Sequence, residues 1–370
     1  MARELVVAVD AMGGDNAPGI VVKGVEIALV RHPEARFLLC GDQERLNPLI
    51  DASPRVASAS AIRHTPDLIA MSDKPSKALR RGGSSSMALA LDAVKAGEAV
   101  VAISAGNTGA LMALARQRLG SMPGIDRPAI AAIWPTMRGE SIVLDVGANI
   151  EVTAKMLVDF AVMGEAFARA VLGLTKPSVA LLNIGTEELK GNEGVRTADR
   201  ILRAAEIGMD YRGYVEGDAI SAGEADVIVT DGFSGNVALK TAEGTARLVS
   251  SYLSSAMQRS LFSRLGAVLA MGAFRTLKAR LDPRRVNGGT FLGLNGVVVK
   301  SHGGTDETGF AYALDLAIDM AQSRFAAEIA ERVAGIKSAV DAVEQGGAGE
   351  AASSGGDAGG GPGIEAIGLG

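Results

Sequence analysis

The sequence predicts an α/β protein in which helices pack on a mostly parallel β-sheet. Short apolar runs, rich in β-branched residues and leucine, alternate along the chain with longer helical stretches, and a polar or glycine-containing loop follows each run. This order is typical of repeated strand–helix–strand units, whose strands are buried on both faces. Alanine, valine, isoleucine, leucine and 47 glycines dominate the composition, as expected of closely packed layers.

Seven apolar runs are predicted strands. In chain order they are Leu5–Val9, Phe37–Cys40, Val100–Ser104, Ser141–Leu144, Ser178–Leu182, Val227–Thr230 and Val297–Lys300. The helical stretches between them are Ala17–Arg31, Met87–Ala96, Gly109–Leu119, Thr153–Gly173, Gly194–Ala205, Asn236–Ser254 and Thr308–Ala334. Because ligands bind outside the carboxyl ends of strands in such sheets, the loops that follow the strands predict one shared site. Turn formation explains each loop equally well on its own.

One large α/β domain is expected over residues 1–337, and residues 338–370 are expected to be a flexible tail. From Gln345 to Gly370 the chain is dominated by Gly, Ala and Ser, a composition that does not form a core. We find no linker before that tail and no tandem repeat, so any subdomains are interleaved.

Composition excludes several classes of protein. The formal net charge of −5 argues against a general nucleic-acid binder. A single cysteine, Cys40, excludes an internal disulfide and a multi-thiolate metal site. No Walker loop or Gly-x-Gly-x-x-Gly motif follows a strand, so no nucleotide cofactor is expected. The spacing of the three histidines favours no zinc site, so no metal is expected. The N-terminal apolar run is too short for a secretory signal and no run suits a membrane span, so a cytoplasmic protein is expected.

Three strand-end loops place asparagine beside glycine. They contain Asn107 with Thr108, Asn149, and Gly235 with Asn236. Neutral donors at helix N-termini favour negative charge, so these loops predict binding of an anion or a polarised carbonyl. Helix capping is the alternative role for Asn107 and Thr108.

Four other segments carry candidate functional groups. Lys190 lies in a long polar loop after a predicted strand and faces either a phosphate or solvent, while His302 follows the last strand. The Asp10–Asn16 loop is either an anion site or a tight connection. The Met71–Ser86 loop carries Lys74, Lys77, Arg80 and Arg81 and is either a lid, a contact for an anionic partner or an ordinary surface loop.

The stretch Tyr252–Arg285 combines apolar residues at helical spacing with a local excess of arginine and lysine. This pattern favours an amphipathic hairpin, over about 245–285 and bent at Gly266 and Gly272, that lies on an anionic membrane surface. A dimerisation arm and a core helix are the alternatives. The predicted membrane contacts are Leu261, Phe262, Leu265, Val268, Leu269 and Phe274.

Taken together, these motifs resemble the bacterial PlsX family of phosphate acyltransferases. The resemblance runs in order over residues 5–320. The matching stretches are Val9–Asp15, Met71–Ser86, Ser104–Ala110, Leu144–Asn149, Asn183–Glu188, Lys190–Glu193, Val215–Asp218, Thr230–Val237 and Ser301–Gly303.

The resemblance implies a three-layer α/β/α sandwich like that of isocitrate dehydrogenase and phosphate acetyltransferase. It also implies a homodimer, attached peripherally to the inner face of the cell membrane, that makes acyl phosphate from inorganic phosphate and an acyl-acyl carrier protein. The product would feed a membrane glycerol-3-phosphate acyltransferase in phospholipid synthesis. By the same resemblance Lys190 and Asn236 are the catalytic candidates, with Asn107, Thr108, Asn149, Gly235 and His302 as substrate contacts.

The acyl chain is expected in a groove near the hairpin. Two alternative functions remain: a phosphate acetyltransferase-like enzyme that uses acyl-coenzyme A, and a non-catalytic membrane scaffold for lipid synthesis. An assay for acyl phosphate with each thioester separates them.

Overall fold

A computed structural model describes residues 4–205, 208–274 and 287–323 and positions 282, 284, 325, 328, 329 and 332. The expected tail at 338–370 lies outside these residues, as do the cationic residues of the hairpin at 275, 278, 280 and 285. The described strands are β1 Val6–Asp10, β2 Arg36–Gly41, β3 Ser60–His64, β4 Val101–Ser104, β5 Ala129–Thr136, β6 Gly139–Leu144, β7 Ser178–Leu182, β8 Asp210–Val215, β9 Val227–Val229, β10 Gly289–Leu292 and β11 Val297–Lys300.

All of these strands belong to one sheet, in the order β3-β2-β1-β4-β11-β10-β5-β6-β9-β7-β8. The pairs at both ends of the sheet are parallel. At the centre, β11–β10, β10–β5 and β5–β6 are antiparallel. These three reversals make the half that contains β6, β9, β7 and β8 run opposite to the half that contains β3, β2, β1, β4 and β11.

Helices cover both faces of the sheet. They are α1 Gly19–Arg31, α2 Gln43–Asp51, α3 Pro54–Ala59, α4 Pro75–Arg81, α5 Ser86–Lys95, α6 Thr108–Leu119, α7 Ala154–Leu172, α8 Glu193–Ala204, α9 Gly217–Ala222, α10 Gly232–Gln258, α11 Leu261–Leu269 and α12 Glu307–Gln322. Successive strand residues point to opposite faces. Val7 and Val9 therefore join a core with α1, α7, α8 and α12, while Ala8 joins a second core with α4, α5, α6 and α9 and the first part of α10.

The expected three-layer α/β/α architecture is confirmed, and each predicted strand is present within two residues of its predicted ends. The assumption behind the predicted shared site, that all strands end on the same side of the sheet, is wrong. Loops after β1, β4 and β11 lie at one end of the strands, and loops after β6, β7 and β9 lie at the other end, because the two halves of the sheet run in opposite directions. We call these two ends of the strands the two edges of the sheet.

The predicted bend at Gly266 is also wrong. α10 continues unbroken to Gln258, and α11 begins after Ser260, whose hydroxyl accepts a hydrogen bond from the Ser263 amide. Gly266 lies inside α11. Among the described helices, none combines the length and apolar character needed to cross a bilayer.

Candidate functional site

The N-terminus of α10 is built onto the loop that follows β6. The Asp231 carboxylate caps α10 by accepting hydrogen bonds from the amide and hydroxyl of Ser234, both at 2.8 Å. The Gly232 amide donates to the Asn149 carbonyl at 2.7 Å. A Cβ on Gly235 would lie 2.0 Å from the Asp145 carbonyl oxygen. Only glycine therefore permits this close approach. Gly235, which the sequence suggested as a substrate contact, has a packing role here.

Asp145 organises the loop below α10. Its buried carboxylate accepts hydrogen bonds from the amides of Ile130, Gly147, Ala148 and Asn149 at 2.7–3.1 Å. Burial raises the pKa of Asp145, and these hydrogen bonds oppose the rise. The carboxylate is thus fully engaged in holding the loop.

Asn149 is only 2% exposed. Its Nδ2 donates to the Pro128 carbonyl and to Oδ2 of Asp145, both at 2.9 Å. In the described part of the chain its Oδ1 has no hydrogen-bond partner. These contacts favour a structural role over direct contact with a substrate.

Asn236 has a different environment. Its side chain is exposed and lies over Gly147, where an added Cβ would come within 2.7 Å of Nδ2. Its side-chain amide makes no hydrogen bond to another described residue. The Asn236 amide is therefore open to a ligand, unlike that of Asn149.

Lys190 lies in the loop after β7, which neighbours β9 in the sheet. The loop is closed by Nδ2 of Asn183, which donates to the Lys190 carbonyl at 3.2 Å, and by Arg196, which donates to the Gly191 carbonyl at 2.8 Å. Gly191 has φ +86° and passes so close to Asn183 that a side chain would collide. Lys190 itself is exposed, and among the described residues its ammonium has no partner. Lys190 and Asn236 thus lie at the same edge, after adjacent parallel strands.

A cavity of about 590 Å³ opens at this edge. Its walls come from the loop after β6, the first turn of α8, the ends of β7 and β9 and the first turn of α10. Leu157, Leu181 and Val229 are buried at its floor, while Ile150 and Phe233 are exposed at its rim.

Asn107 and Thr108 lie at the opposite edge, after β4. Oδ1 of Asn107 caps α6 by accepting from the Ala110 amide at 3.0 Å, and Nδ2 donates to the carbonyls of Met71 and Asp73. Asn107 therefore fastens the Met71–Ser86 segment to the sheet. Thr108 is exposed at the first position of α6.

A buried polar row at this second edge was missed in the sequence. Asp10, Ser104 and Lys300 are cross-strand neighbours on β1, β4 and β11. Asp10 accepts hydrogen bonds from the hydroxyls of Ser104 and Ser86, both at 2.6 Å, and burial raises its pKa against them. Lys300 is 9% exposed and donates to the carbonyls of Ala105 and Ser301. The sequence did carry a signal for this row, since Asp10 and Lys300 each place a charged residue at the end of an apolar run.

The second edge carries cationic side chains rather than an anion cradle in its glycine loops. A Cβ on Gly13 would lie 2.4 Å from Oδ2 of Asp10 and 2.8 Å from the Gly106 amide, so the Asp10–Asn16 loop is a tight connection. Burial lowers the pKa of Lys300 to about 8. Burial, together with Lys240 and Lys300, lowers the pKa of His302.

α10 connects the two edges. Lys240 lies one turn after Asn236 on the same side of the helix, and it is near enough to act electrostatically on His302 and Lys300. The same lysine pairs with Glu243 at 3.0 Å.

The far end of α10 and α11 expose large apolar side chains. Phe262 is 88% exposed and Leu269 is 82% exposed, and Leu265 and Val268 are also exposed. Phe274 is half-buried, and the side chain of Leu261 lies outside the described residues. Arg259 and Arg264 are exposed beside them. The predicted apolar and cationic pattern is thus present on the described part of this surface.

In the portion of the chain that the structure describes, no group of three or more His, Cys, Asp or Glu side chains is placed to hold a metal ion.

The fold defines this chain as a three-layer α/β/α protein. A phosphotransacetylase from Streptococcus pyogenes superposes with a TM-score of 0.59 over 87% of this chain and 95% of its own, at 17% sequence identity, which shows a shared fold. A family model described as "Fatty acid synthesis protein" matches residues 5–328. The chain belongs to this family, as its resemblance to PlsX proteins predicted.

Two relatives are similar over nearly their whole length. A protein of Parvibaculum lavamentivorans named "Phosphate acyltransferase" is 55% identical over 349 residues, which covers 93% of this chain and 97% of the relative. A protein of the same name from Xanthobacter autotrophicus is 56% identical over 336 residues, or 90% of this chain and 94% of the relative.

Proposed function

We propose that this protein is a phosphate acyltransferase that moves an acyl group from the thioester of an acyl carrier protein to inorganic phosphate. Relatives more than half identical to it carry the name of this activity. Within the fold, the proposal rests on Lys190 and Asn236. They follow adjacent strands, and their side chains have no polar partner among the described residues. The acyl phosphate product would supply a membrane glycerol-3-phosphate acyltransferase.

The reaction needs positioning and charge more than acid–base chemistry. A phosphate oxygen is already ionised at neutral pH and attacks the thioester carbonyl carbon directly. The carbon–sulfur bond then breaks, and the thiolate leaves without strong acid catalysis. The transition state gathers negative charge on phosphate and on the former carbonyl oxygen, so fixed donors supply the main stabilisation.

Lys190 and Asn236 suit these two needs. We assign the Lys190 ammonium to phosphate, whose charge it neutralises. We assign the Asn236 amide to the oxyanion or to phosphate, as a hydrogen-bond donor held over Gly147. Asn149 and Gly235 support the loop under Asn236, while Asn107 holds the Met71–Ser86 segment at the opposite edge. Thr108 and His302, at the opposite edge, remain weaker candidates for substrate contact.

Replacement of each residue tests the assignment. Asn236→Ala and Lys190→Met should each lower kcat about 10²–10³-fold, as for loss of an oxyanion donor, with unchanged circular dichroism. Asn47→Ala and Lys23→Met, at exposed positions on α2 and α1, are the matched controls. Wild-type turnover by Asn236→Ala would remove that residue from the mechanism. Faster transfer from acyl-coenzyme A than from acyl carrier protein would favour the acetyltransferase-like alternative.

The proposal includes three partners. The acidic acyl carrier protein meets the exposed cations Lys74, Lys77 and Arg80 on and beside α4. An anionic membrane surface meets the exposed apolar residues of α11, which would place the protein on the inner face of the cell membrane. A second copy of the chain completes a homodimer, which sedimentation of the full chain tests.

A further inference from the structure

We infer that the cavity at the ends of β7 and β9 binds the hydrocarbon chain of the acyl group. This inference rests on the proposed acyl transfer and adds the place of the chain. The cavity lies at the N-terminal end of α10, whereas the hairpin groove expected from the sequence lies at its far end. With 27 residues in α10, these two places are about 40 Å apart.

The buried floor of the cavity favours an apolar ligand. Leu157, Leu181 and Val229 form this floor, the rim is partly polar, and no described lysine, arginine or histidine lines the cavity. The charged groups that do line it are the carboxylates of Glu151, Glu193 and Asp231, which repel an anion. The helix N-termini that face it are already capped, α8 by Asn192 and α10 by Asp231. Inorganic phosphate is therefore disfavoured inside, while a hydrocarbon chain gains by leaving water.

The position of the cavity suits the chemistry. Its rim adjoins the two loops that carry the catalytic candidates, since Asn192 follows Lys190 by two residues and Ser234 precedes Asn236 by two. A chain inserted from the rim would leave its carboxyl carbon at the mouth, beside these donors. Ile184 and Leu189, in the same loop as Lys190, are also exposed. A volume of about 590 Å³ lies within the usual range for small-molecule sites.

Filling the cavity tests the inference. Val195 on α8 and Val152 in the loop after β6 are half-buried wall residues that also pack against the core, so circular dichroism checks the fold of each variant. The variants are Val195→Phe and Val152→Phe, and Val30→Phe, at an exposed position of α1, is the matched control. Binding of hexadecylphosphonate and of butylphosphonate to the full chain is measured by calorimetry.

Both wall variants should weaken hexadecylphosphonate roughly tenfold or more, since about two methylenes lose burial. They should leave butylphosphonate within about twofold, and the control should match the wild type for both ligands. Wild-type affinity of both wall variants for hexadecylphosphonate would overturn the inference. If Val195→Phe fails to fold, Val152→Phe decides.

The same experiment separates the cavity from the reaction. A selective loss of long-chain binding in a protein that makes no acyl phosphate would support the cavity and contradict the proposed function. Acyl phosphate synthesis with unaltered chain-length preference in both wall variants would support the function and contradict the cavity.

Discussion

The amide of Asn236 lies directly above Gly147, so close that a Cβ on Gly147 would stand 2.7 Å from Nδ2. Gly147 has φ +137°, a conformation that L side chains rarely adopt. The backbone amide of Gly147 donates to the buried Asp145 carboxylate at 3.1 Å. The platform under Asn236 is thus fixed by a buried charge, and its surface is left free of side chains.

Replacing Gly147 by alanine should therefore displace Asn236. Gly139 offers a matched control, because its φ is +139° and nothing lies within 4 Å of an added Cβ. Both alanine variants carry similar backbone strain, but only Gly147→Ala pushes on Asn236. We expect kcat to fall about 10²-fold further in Gly147→Ala than in Gly139→Ala, as for a small misplacement of a reacting group. Equal kcat in the two purified variants would contradict a catalytic position for Asn236.

The sequence predicted the layers well because buried strands carry a direct apolar signal. Val227–Val229 and Val297–Lys300 are β-branched runs that are hard to misread. Strand direction has no such signal. The reversals depend on β10 and β5, and neither was predicted: β10 is a four-residue segment beginning with glycine, and β5 is rich in alanine and contains Pro135. One edge was therefore expected where there are two.

The three candidate asparagines could not be separated from the sequence. Asn107, Asn149 and Asn236 each occur in a glycine-containing loop after a strand. Tertiary contacts distinguish them: Asn107 holds Met71 and Asp73, and Asn149 holds Pro128, while Asn236 has no described partner. Lys300 was overlooked for the related reason that burial of a lysine becomes evident only once β11 lies between β4 and β10.

Lys300 should make stability depend on pH in the alkaline range. Burial lowers its folded-state pKa from 10.5 to about 8. Between pH 8 and 10.5 the unfolded chain therefore binds more protons at this lysine than the folded chain does. The stability contributed by Lys300 is present above pH 10.5, is lost as pH falls toward 8, and is absent below that. The free energy of unfolding should rise across this window relative to a variant without the amine.

Lys300→Met supplies that comparison by urea unfolding at a series of pH values. At pH 7 the variant is relieved of a desolvation cost of up to about 3 kcal/mol, offset by loss of the bonds to Ala105 and Ser301. The difference between the two proteins should change between pH 8 and 10.5 and stay constant from pH 6 to 7. A constant difference over the whole series would show that Lys300 titrates normally. The titration of other groups, such as Cys40, is common to both proteins and cancels in the difference between their unfolding free energies.

The cationic surface on α4 should govern recognition of an acidic donor. Lys74, Lys77 and Arg80 line a shallow cavity of about 380 Å³, and only Lys77 among them has a near carboxylate, Asp73 at 2.5 Å in the described chain. Lys74→Glu combined with Arg80→Glu should raise KM for acyl carrier protein thioesters by about tenfold and lessen its salt dependence. The KM for a short pantetheine thioester should stay unchanged.

Lys23→Glu combined with Arg55→Glu, at exposed positions on α1 and α3 in the opposite helix layer, makes the same change in net charge away from α4. It should leave both KM values near those of the wild type. An equal rise in KM for the carrier protein in both proteins would show that net charge, rather than the α4 surface, decides binding.

The exposed face of α11 should bind anionic membranes through side chains that the fold leaves in water. Leu265 is 60% exposed and lies among Phe262, Leu269 and Arg264. Insertion of one such leucine contributes about 1.5–3 kcal/mol, and the arginines add attraction to anionic lipid. Leu265→Glu together with Phe262→Glu should therefore reduce flotation with phosphatidylglycerol vesicles at least about tenfold.

Val30 on α1 is 65% exposed, nearly the same as Leu265, and lies on an otherwise polar stretch of surface. Val30→Glu should leave flotation unchanged, because a negative charge there is remote from α11. Wild-type binding should also weaken on neutral phosphatidylcholine vesicles, since the contribution of Arg259 and Arg264 is lost. If the double variant floats as well as the wild type, the apolar face of α11 serves another contact, and the second copy of the chain becomes the occupant to examine by sedimentation.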